Sequence, residues 1–211
     1  MTYLYDYQPI SVYFKSNNLN YFRLYPHCVD GKYFIDDVSD EKKYDLKINL
    51  LQDIKINNIG CNQYDLSVSW YKGRGDKEQL KNNVYNVLHN IWHVKPSDAI
   101  WTCYKEFFDE VKSSQYKRSF VSMNLCATNE YRDRHNVAYC VNRFFPPAMR
   151  SLYKDVDAWL GEQEFALSEM VQFVWRSAVR DGEEINLYVP SKRMRDLFVG
   201  WFNTVSNCPI Q

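Results

Sequence analysis

The sequence lacks the features that mark a secreted, membrane-spanning or zinc-binding chain. No segment approaches the roughly twenty consecutive apolar residues that cross a bilayer, and polar and charged residues follow Met1 where a signal peptide needs an apolar core. The 6 cysteines are scattered without a C-x-x-C pair, which argues against both a zinc site and a disulfide framework. We therefore expect a protein of a reducing cytoplasm, with free thiols and no membrane contact.

The sequence also lacks net charge. Lys plus Arg and Asp plus Glu stand at 26 each, so the formal net charge is zero, and no overall field attracts the chain to nucleic acid or to an anionic membrane. Aromatic residues reach 17%; they could stack on exposed bases, although filling the protein interior is their commoner use. Any contact with nucleic acid must therefore be local.

A third absence concerns the binding of a triphosphate. ATP-driven motors bind the phosphates with G-x-x-x-x-G-K-[ST] and bind magnesium with acidic residues at a strand end. The Gly-Lys pair Gly31-Lys32 is followed by Tyr33 and has no spaced partner glycine, and Asp40-Glu41 has no apolar strand before it. The chain alone therefore cannot be a complete ATP-driven motor, and we expect it to bind no cofactor by itself.

The composition that is present is that of a folded protein, and it changes along the chain. Hydrophobic residues make up 45% of the 211 residues and charged residues 25%, which lies within the globular range. Residues 1–64 are rich in Tyr, Asn and Asp, with the β-type runs Ile10–Phe14 and Lys32–Ile35. This pattern predicts a β-rich N-terminal segment.

From residue 65 onward, strand and helix patterns alternate. A helical pattern ending at Pro96 is followed by predicted strands and helices that run in turn to a final helix capped by Ser191. The predicted segments are strands at 99–104, 119–123 and 185–189, and helices at 105–112 and 166–180, the latter resuming a long helical stretch broken at Pro146-Pro147. This order predicts an α/β fold in which right-handed crossovers join parallel strands.

The predicted helix 166–180 has two distinct faces. Gln172, Arg176 and Arg180 lie on the polar face together with Glu169, opposite a face of apolar residues. Guanidinium groups suit a phosphate because each offers a planar fork of donors that keeps its charge. The alternative is a solvated helix face on which Glu169 pairs with a neighbour.

The spacing Gln172-x-x-x-Arg176-x-x-x-Arg180 resembles the last conserved motif of superfamily-two helicases. The segment 99–108 is similar to the strand and helix that open the second RecA-like lobe of these enzymes, and 120–134 is similar to the motif where that lobe meets nucleic acid and nucleotide. The resemblance is to helicase-like replication proteins of phages and mobile elements, and it covers residue 65 to the C-terminus. It implies a RecA-like C-terminal lobe over residues 65–211, in the cytoplasm of a bacterial host cell.

The same resemblance implies that Gln172, Arg176 and Arg180 reach a nucleotide held by another lobe. The sequence departs from the pattern at two positions: the second arginine usually follows the first by three residues, where Val179 stands here, and the glycine before the first arginine is Trp175. These departures favour Arg176 over Arg180 as the catalytic arginine. ATP and magnesium are then expected only with a partner lobe.

Two groups of residues are candidates for contact with single-stranded or duplex DNA. The first combines cations with an aromatic platform and consists of Thr128, Asn129, Tyr131, Arg132 and Arg134; alternatively, these residues cap a helix and pair with Glu130 and Asp133. The second is Lys192 and Arg193, which begin the last helix at the end where the helix dipole disfavours cations. Either an anion such as a nucleic-acid phosphate lies nearby, or the two cations are tolerated as surface residues. His89 and His93 stand four apart without an evident third ligand, so we expect no metal site.

Two functions remain open on the sequence. In the first, the chain is a helicase-derived lobe that binds nucleic acid or completes the ATP site of a partner lobe. In the second, it is a phage-type interaction protein that uses residues 1–64 to bind and inhibit a host protein and keeps the lobe as a scaffold. The zero net charge and the missing first lobe favour the second. We nevertheless predict the first function, a helicase-derived lobe that is catalytically incomplete by itself.

Overall fold

The computed structural model describes residues 9–22, 24–30, 32–37, 45–53, 55–73, 75–125, 129–146 and 161–210. Several sequence features lie outside these ranges, namely Gly31, Asp40-Glu41, Thr128 and Pro147. Within the described ranges, no helix combines the length and the apolarity that crossing a bilayer demands.

A parallel sheet of four strands forms the centre of the fold. Its strands are β3 (Ile48–Leu50), β4 (Ala99–Thr102), β5 (Asn136–Tyr139) and β6 (Ile185–Tyr188), and they lie in the order β3-β6-β5-β4. Every neighbouring pair is parallel, and Phe120 adds one parallel bridge to Trp101 outside β4. The predicted α/β fold with a parallel sheet is confirmed.

Helices flank this sheet. They are α2 (Val68–Lys72), α3 (Lys77–Tyr85, continued as a π-helix over Asn86–Ile91), α4 (Phe108–Val111), α5 (Glu162–Val174) and α6 (Lys192–Val205). The connection from β3 to β4 and the connection from β5 to β6 cross the sheet in opposite directions, so right-handed crossovers place their helices on opposite faces. In the packing, α5 contacts α6 and β5, and α3 contacts α4, which belongs to the connection between β4 and β5.

Buried tyrosines explain part of the aromatic composition. The strands β4 and β5 are buried along their whole length, as parallel strands covered on both faces must be. The hydroxyl of Tyr188 donates to the carbonyl of Ile56 at 3.0 Å, and that of Tyr71 donates to the carbonyl of Cys140 at 2.6 Å. Each large ring thus fills the core while its polar end is satisfied by backbone.

The described residues before the parallel sheet form one helix and one hairpin. The helix α1 (Pro9–Ser16) is followed by β1 (Tyr25–Val29) and β2 (Lys32–Asp36), which pair antiparallel in a sheet of their own. The predicted strand at 32–35 is confirmed, whereas the predicted strand at 10–14 is wrong because that run lies in α1. The strand β3 precedes residue 65, so the parallel sheet includes a strand from the segment 1–64.

Three further elements differ from their predictions. The helix predicted over 166–180 ends at Val174, where the hydroxyl of Ser177 donates to the Val174 carbonyl at 2.7 Å and takes the place of the next helical N–H. The strand predicted at 119–123 is reduced to the bridge at Phe120. The strand β5 lies within the stretch predicted to be helical.

Candidate functional site

The carboxyl edge of the parallel sheet is the place where open α/β sheets bind ligands, in the crevice where neighbouring connections leave for opposite faces. Here β3 and β6 are neighbours. The chain leaves β3 toward α2 and α3, and it leaves β6 toward α6, so their connections diverge. The crevice between the ends of β3 and β6 is therefore the candidate site.

A cleft of about 480 Å³ lies at this crevice. The loop after β3, the first turn of α5 and the first turns of α6 line it. The polar residues among them are Asn62, Gln63, Gln163, Lys192, Arg193 and Asp196. The cleft therefore contains two of the residues predicted to contact nucleic acid.

Close packing of backbone fixes one wall of the cleft. The carbonyl of Gly60 accepts a hydrogen bond from the backbone N–H of Lys192 at 2.7 Å. A Cβ at position 60 would lie only 2.0 Å from the carbonyl oxygen of Pro190, so a larger residue does not fit. The side chain of Ser191 accepts a hydrogen bond from the N–H of Met194 and caps α6, as its sequence position predicted. The start of α6 is thus held directly against the loop after β3.

The guanidinium of Arg193 is half-buried beside the cleft. It donates to the side chain of Asn142 and to the carbonyl of Arg143, both at 2.9 Å, and it lies 4.3 Å from the centre of the Phe144 ring. Burial lowers the pKa of Arg193. Its hydrogen bonds to oxygen atoms go to neutral groups, and the nearby Glu162 carboxylate opposes the lowering of the pKa by burial.

The other two cations in the first turn of α6 differ in their bonding partners. The guanidinium of Arg195 donates to Asn57, Val189 and Pro190 oxygens at 2.6 to 2.9 Å, and burial lowers its pKa as well. Lys192 instead forms an exposed ion pair with Asp196 at 2.6 Å. The start of α6 therefore holds two guanidinium groups whose described hydrogen bonds go to neutral oxygens, at the positive end of the helix dipole.

A second, smaller cleft of about 230 Å³ follows β4 and is lined by Tyr104, Lys105, Met123 and Arg143, among others. Arg143 lies 3.7 Å from a carboxylate oxygen of Glu169, and burial raises the pKa of Glu169. The Nε atom of Arg143 is buried and has no hydrogen-bond partner among the described residues. Glu169 thus pairs with a residue outside its own helix and is largely buried, so this part of the helix is packed and not the solvated face of the alternative interpretation.

The predicted catalytic residues Gln172, Arg176 and Arg180 do not form one helix face. Gln172 lies on α5, whereas Arg176 lies in the turn after it and Arg180 in the 3₁₀ helix Ala178–Asp181. The guanidinium of Arg176 donates to the carbonyls of Met123 at 2.9 Å and Leu125 at 2.5 Å. The prediction of a single polar ridge is wrong because the helix ends six residues early; the catalytic roles stay predictions.

The predicted nucleic-acid residues near β5 lie at the opposite, amino edge of the sheet. Asn129, Arg132 and Arg134 precede β5, and Arg180 precedes β6, so they lie where parallel strands begin. Arg132 makes a bidentate pair with Asp181 at 2.8 and 2.6 Å, and Arg180 donates to the Asn129 side chain at 2.6 Å. These contacts tie the two loops together.

The remaining members of this group are only partly accessible. Arg134 pairs with Asp133 at 3.3 Å, as the alternative interpretation expected, and Tyr131 packs against the core. Burial and the neighbouring Glu130 raise the pKa of Tyr131. Thr128 lies outside the described residues. The structure therefore separates this group from Lys192 and Arg193 and brings only the latter two into one cleft.

At the amino edge, His135 bridges two carboxylates. Its Nδ1 lies 3.0 Å from Asp98 and its Nε2 lies 2.7 Å from Glu183. Hydrogen bonds to Asp98 and then to Glu183 raise the pKa of His135 above its usual 6.5, against the opposing effect of burial. Protonated His135 can donate to both partners, so it joins the start of β5 to the residues before β4 and β6.

This bridge predicts a pH-dependent stability. Because the folded-state pKa is raised, the contribution of His135 is fully present below the unfolded pKa and is lost as pH rises through the folded value. We expect the unfolding midpoint of the wild type to fall as pH rises above 6.5, and the fall to be smaller in His135→Gln. Thermal unfolding followed by circular dichroism across this range measures it; parallel curves for the two proteins would contradict the role of His135.

Sequence reasoning missed Gly60, Asn142 and Arg143. Asn142 and Arg143 follow β5, and they become carboxyl-edge residues only when β5 is recognised as a strand. Gly60 stands in a polar loop whose contact with α6 no local pattern shows. The apolar run around Val137 was the one available indication of the missing strand.

Comparison with known proteins shows which family the chain is similar to. The family model described as the YonV C-terminal Rossmann-like domain matches residues 42–202, which is more than half of the chain. A Bacillus subtilis (strain 168) protein named SPbeta prophage-derived uncharacterized protein YonV is 36% identical over 209 residues. The match takes in 95% of this chain and 50% of that protein, so the chain spans about half the length of the relative. No solved structure matches.

Proposed function

This chain belongs to the family of YonV C-terminal Rossmann-like domains, and we propose that it is a phosphate-binding lobe of a phage-type protein that acts on nucleic acid in a bacterial host cell. The lobe binds the phosphates of single-stranded or duplex DNA at the cleft beside α6. The prophage origin in the name of the relative and the resemblance to helicase-like replication proteins support this class of ligand.

The observation that carries the proposal is the half-buried guanidinium of Arg193 at the carboxyl-edge cleft, where the neighbouring Lys192 is paired with Asp196. Arg193 lines the cleft, and its hydrogen bonds to described oxygen atoms go to neutral groups. A partly desolvated guanidinium of this kind is stabilised most by binding a negatively charged ligand. The amide and lysine side chains of Asn62, Gln63 and Lys192 add donors for phosphate oxygens.

The lobe does not hydrolyse ATP alone in this proposal. The sequence has no loop for a triphosphate, so ATP and magnesium bind only where a partner supplies the first lobe. Arg176 and Arg180 are the residues proposed to face that nucleotide. Arg176 would have to exchange its carbonyl partners in the segment 122–125 for phosphate oxygens.

The first test is DNA binding by matched variants of the two sheet edges. We expect Arg193→Ala to weaken binding of labelled single-stranded and duplex DNA and to lower the slope of log affinity against log salt by about one. Arg132→Ala removes an exposed guanidinium from the amino edge and should leave both quantities unchanged. Fluorescence anisotropy titrations at several salt concentrations measure them.

The control variant also decides where DNA binds. If Arg132→Ala weakens binding and Arg193→Ala does not, the amino-edge loop is the contact and the cleft proposal is wrong. If the wild type binds neither DNA at low salt, the proposed function itself is wrong. Circular dichroism of both variants checks that any loss does not come from unfolding.

A further inference from the structure

The β1-β2 hairpin exposes apolar side chains that the described part of the chain does not cover. Phe34 is 52% exposed and Ile35 is 69% exposed on β2, and Val29 at the end of β1 is 56% exposed. The hairpin is a two-stranded sheet separate from the parallel sheet. Such hairpins are marginally stable in water unless further strands or a packing surface join them.

The pairing register identifies which backbone groups face outward. Val29 pairs with Lys32 across a two-residue connection, in which Asp30 has a φ of 49°, so this closing pair exchanges backbone hydrogen bonds. Alternation along an antiparallel ladder then turns the N–H and C=O groups of residues 33 and 35 away from β1. No further described strand pairs with the outer edge of β2, and each outward position there has both an N–H donor and a C=O acceptor.

The outer edge of β1 is different. By the same alternation its outward positions are 26 and 28, and Pro26 has no N–H to donate. Proline at an edge is a feature that prevents further strand pairing. Of the two edges, only that of β2 can accept another strand with complete hydrogen bonding.

The residues of β2 are complementary to themselves. Lys32, Phe34 and Asp36 share one face of the strand, since side chains alternate. If a second β2 runs antiparallel with Phe34 opposite Phe34, Lys32 of each copy lies opposite Asp36 of the other. Parallel pairing would instead place Lys32 opposite Lys32, which is unfavourable.

We propose that two copies of this chain pair through the outer edges of their β2 strands, with Phe34 at the two-fold axis. The pairing is isologous, so each Lys32–Asp36 contact occurs twice. The central Phe34 pair does not exchange hydrogen bonds and therefore brings its side chains closest together, which covers part of the exposed ring. The edges left over are those of β1, where Pro26 stops further growth, so assembly ends at the dimer.

The test is a charge exchange in the 211-residue chain. Lys32→Asp places two acidic groups opposite each other at both ends of the pairing, and Asp36→Lys places two basic groups there. We expect each single variant to raise the dimer dissociation constant at least about tenfold and the double variant Lys32→Asp/Asp36→Lys to restore it. Inside one hairpin, Lys32 and Asp36 lie opposite Val29 and Tyr25, so neither exchanged side chain faces a like charge across the hairpin.

Sedimentation velocity over a range of protein concentrations measures the dissociation constants. A wild type that stays monomeric at every concentration overturns the proposal. The exposed apolar edge of β2 would then be a candidate contact for another protein, such as a host protein. A double variant as weak as the single variants also overturns it, because the complementarity would then be absent. Circular dichroism establishes that each variant is folded.

A covalent test reports on the register. Phe34→Cys should form a disulfide-linked dimer on mild oxidation, because opposing residues in such a pair have Cβ atoms about 4.5–5.5 Å apart, near the reach of a disulfide. The matched control is Leu24→Cys, because Leu24 is 61% exposed and lies outside β2. The wild type shows the background from its exposed Cys61 and Cys208. Equal cross-linking in the two variants contradicts the register.

Discussion

Replacing Gly60 by alanine should destabilise the folded chain by about 3 kcal/mol, in the upper range for overpacking of a closely packed site. The added Cβ would lie 2.0 Å from the carbonyl oxygen of Pro190 and 2.8 Å from the Cα of Ser191. Both neighbours are backbone, so no side-chain rotation relieves the clash. The loop after β3 must move away from the start of α6, and the Gly60–Lys192 hydrogen bond must lengthen or break.

The matched control is Gly200→Ala. Gly200 lies inside α6, and a Cβ there would meet no atom within 4 Å. Because alanine is the better helix former by up to about 1 kcal/mol, this variant should be as stable as the wild type or slightly more stable. Urea unfolding of the three proteins measures the midpoints, and similar midpoints for Gly60→Ala and Gly200→Ala would show that the loop is free to move.

The Gly60 variant also links the fold to the proposed function. The carbonyl of Gly60 accepts its hydrogen bond from the N–H of Lys192, and Arg193 is the next residue in the cleft. We therefore expect the folded fraction of Gly60→Ala to bind DNA less tightly than the wild type, as is expected of Arg193→Ala. Gly200→Ala should bind as the wild type does.

The strands that the sequence predicted correctly are those with an apolar run in the strand itself. The runs around Ile100 and Leu187 formed β4 and β6 as expected. The strand β3 has only three residues, and its state is fixed by hydrogen bonds to β6, far away in the chain. No local pattern can predict a strand that exists because of such a partner.

The same reason explains the errors around the site. The strand β5 follows a charged segment that favours helix, but its position between β4 and β6 satisfies backbone groups on both sides. Ile10–Phe14 has β-branched and aromatic residues, yet it lies in α1, which shows how weakly such propensities act without a sheet partner. The carboxyl-edge site depends on β5 and on the Gly60 contact, so Lys192 and Arg193 could be predicted without the residues that surround them.

Replacing Arg176 by alanine should lower the free energy of unfolding by about 3 kcal/mol, a typical cost for removing a charged donor from carbonyls that are partly buried. Its guanidinium joins the turn after α5 to the segment 122–125 through hydrogen bonds to Ser122, Met123 and Leu125. It also lies 5.3 Å from the centre of the Phe173 ring. Arg180 is exposed and donates to Asn129, so Arg180→Ala should change stability by no more than about 0.5 kcal/mol.

Variants of Arg176 and Arg180 test whether Arg176 holds the fold together or acts on a partner's nucleotide. If Arg176 acts only on a partner's nucleotide, Arg176→Ala leaves unfolding of the isolated chain unchanged and lowers ATP turnover only when a partner lobe is present. If it holds the 122–125 segment, the stability loss occurs in the isolated chain, and Arg176→Lys recovers only part of it because an ammonium cannot reproduce the planar fork of donors. The three carbonyl contacts lead us to expect a stability loss in the isolated chain, so that the proposed role of Arg176 at a partner's nucleotide is additional to a structural one. Urea unfolding of Arg176→Ala, Arg176→Lys and Arg180→Ala is the deciding measurement.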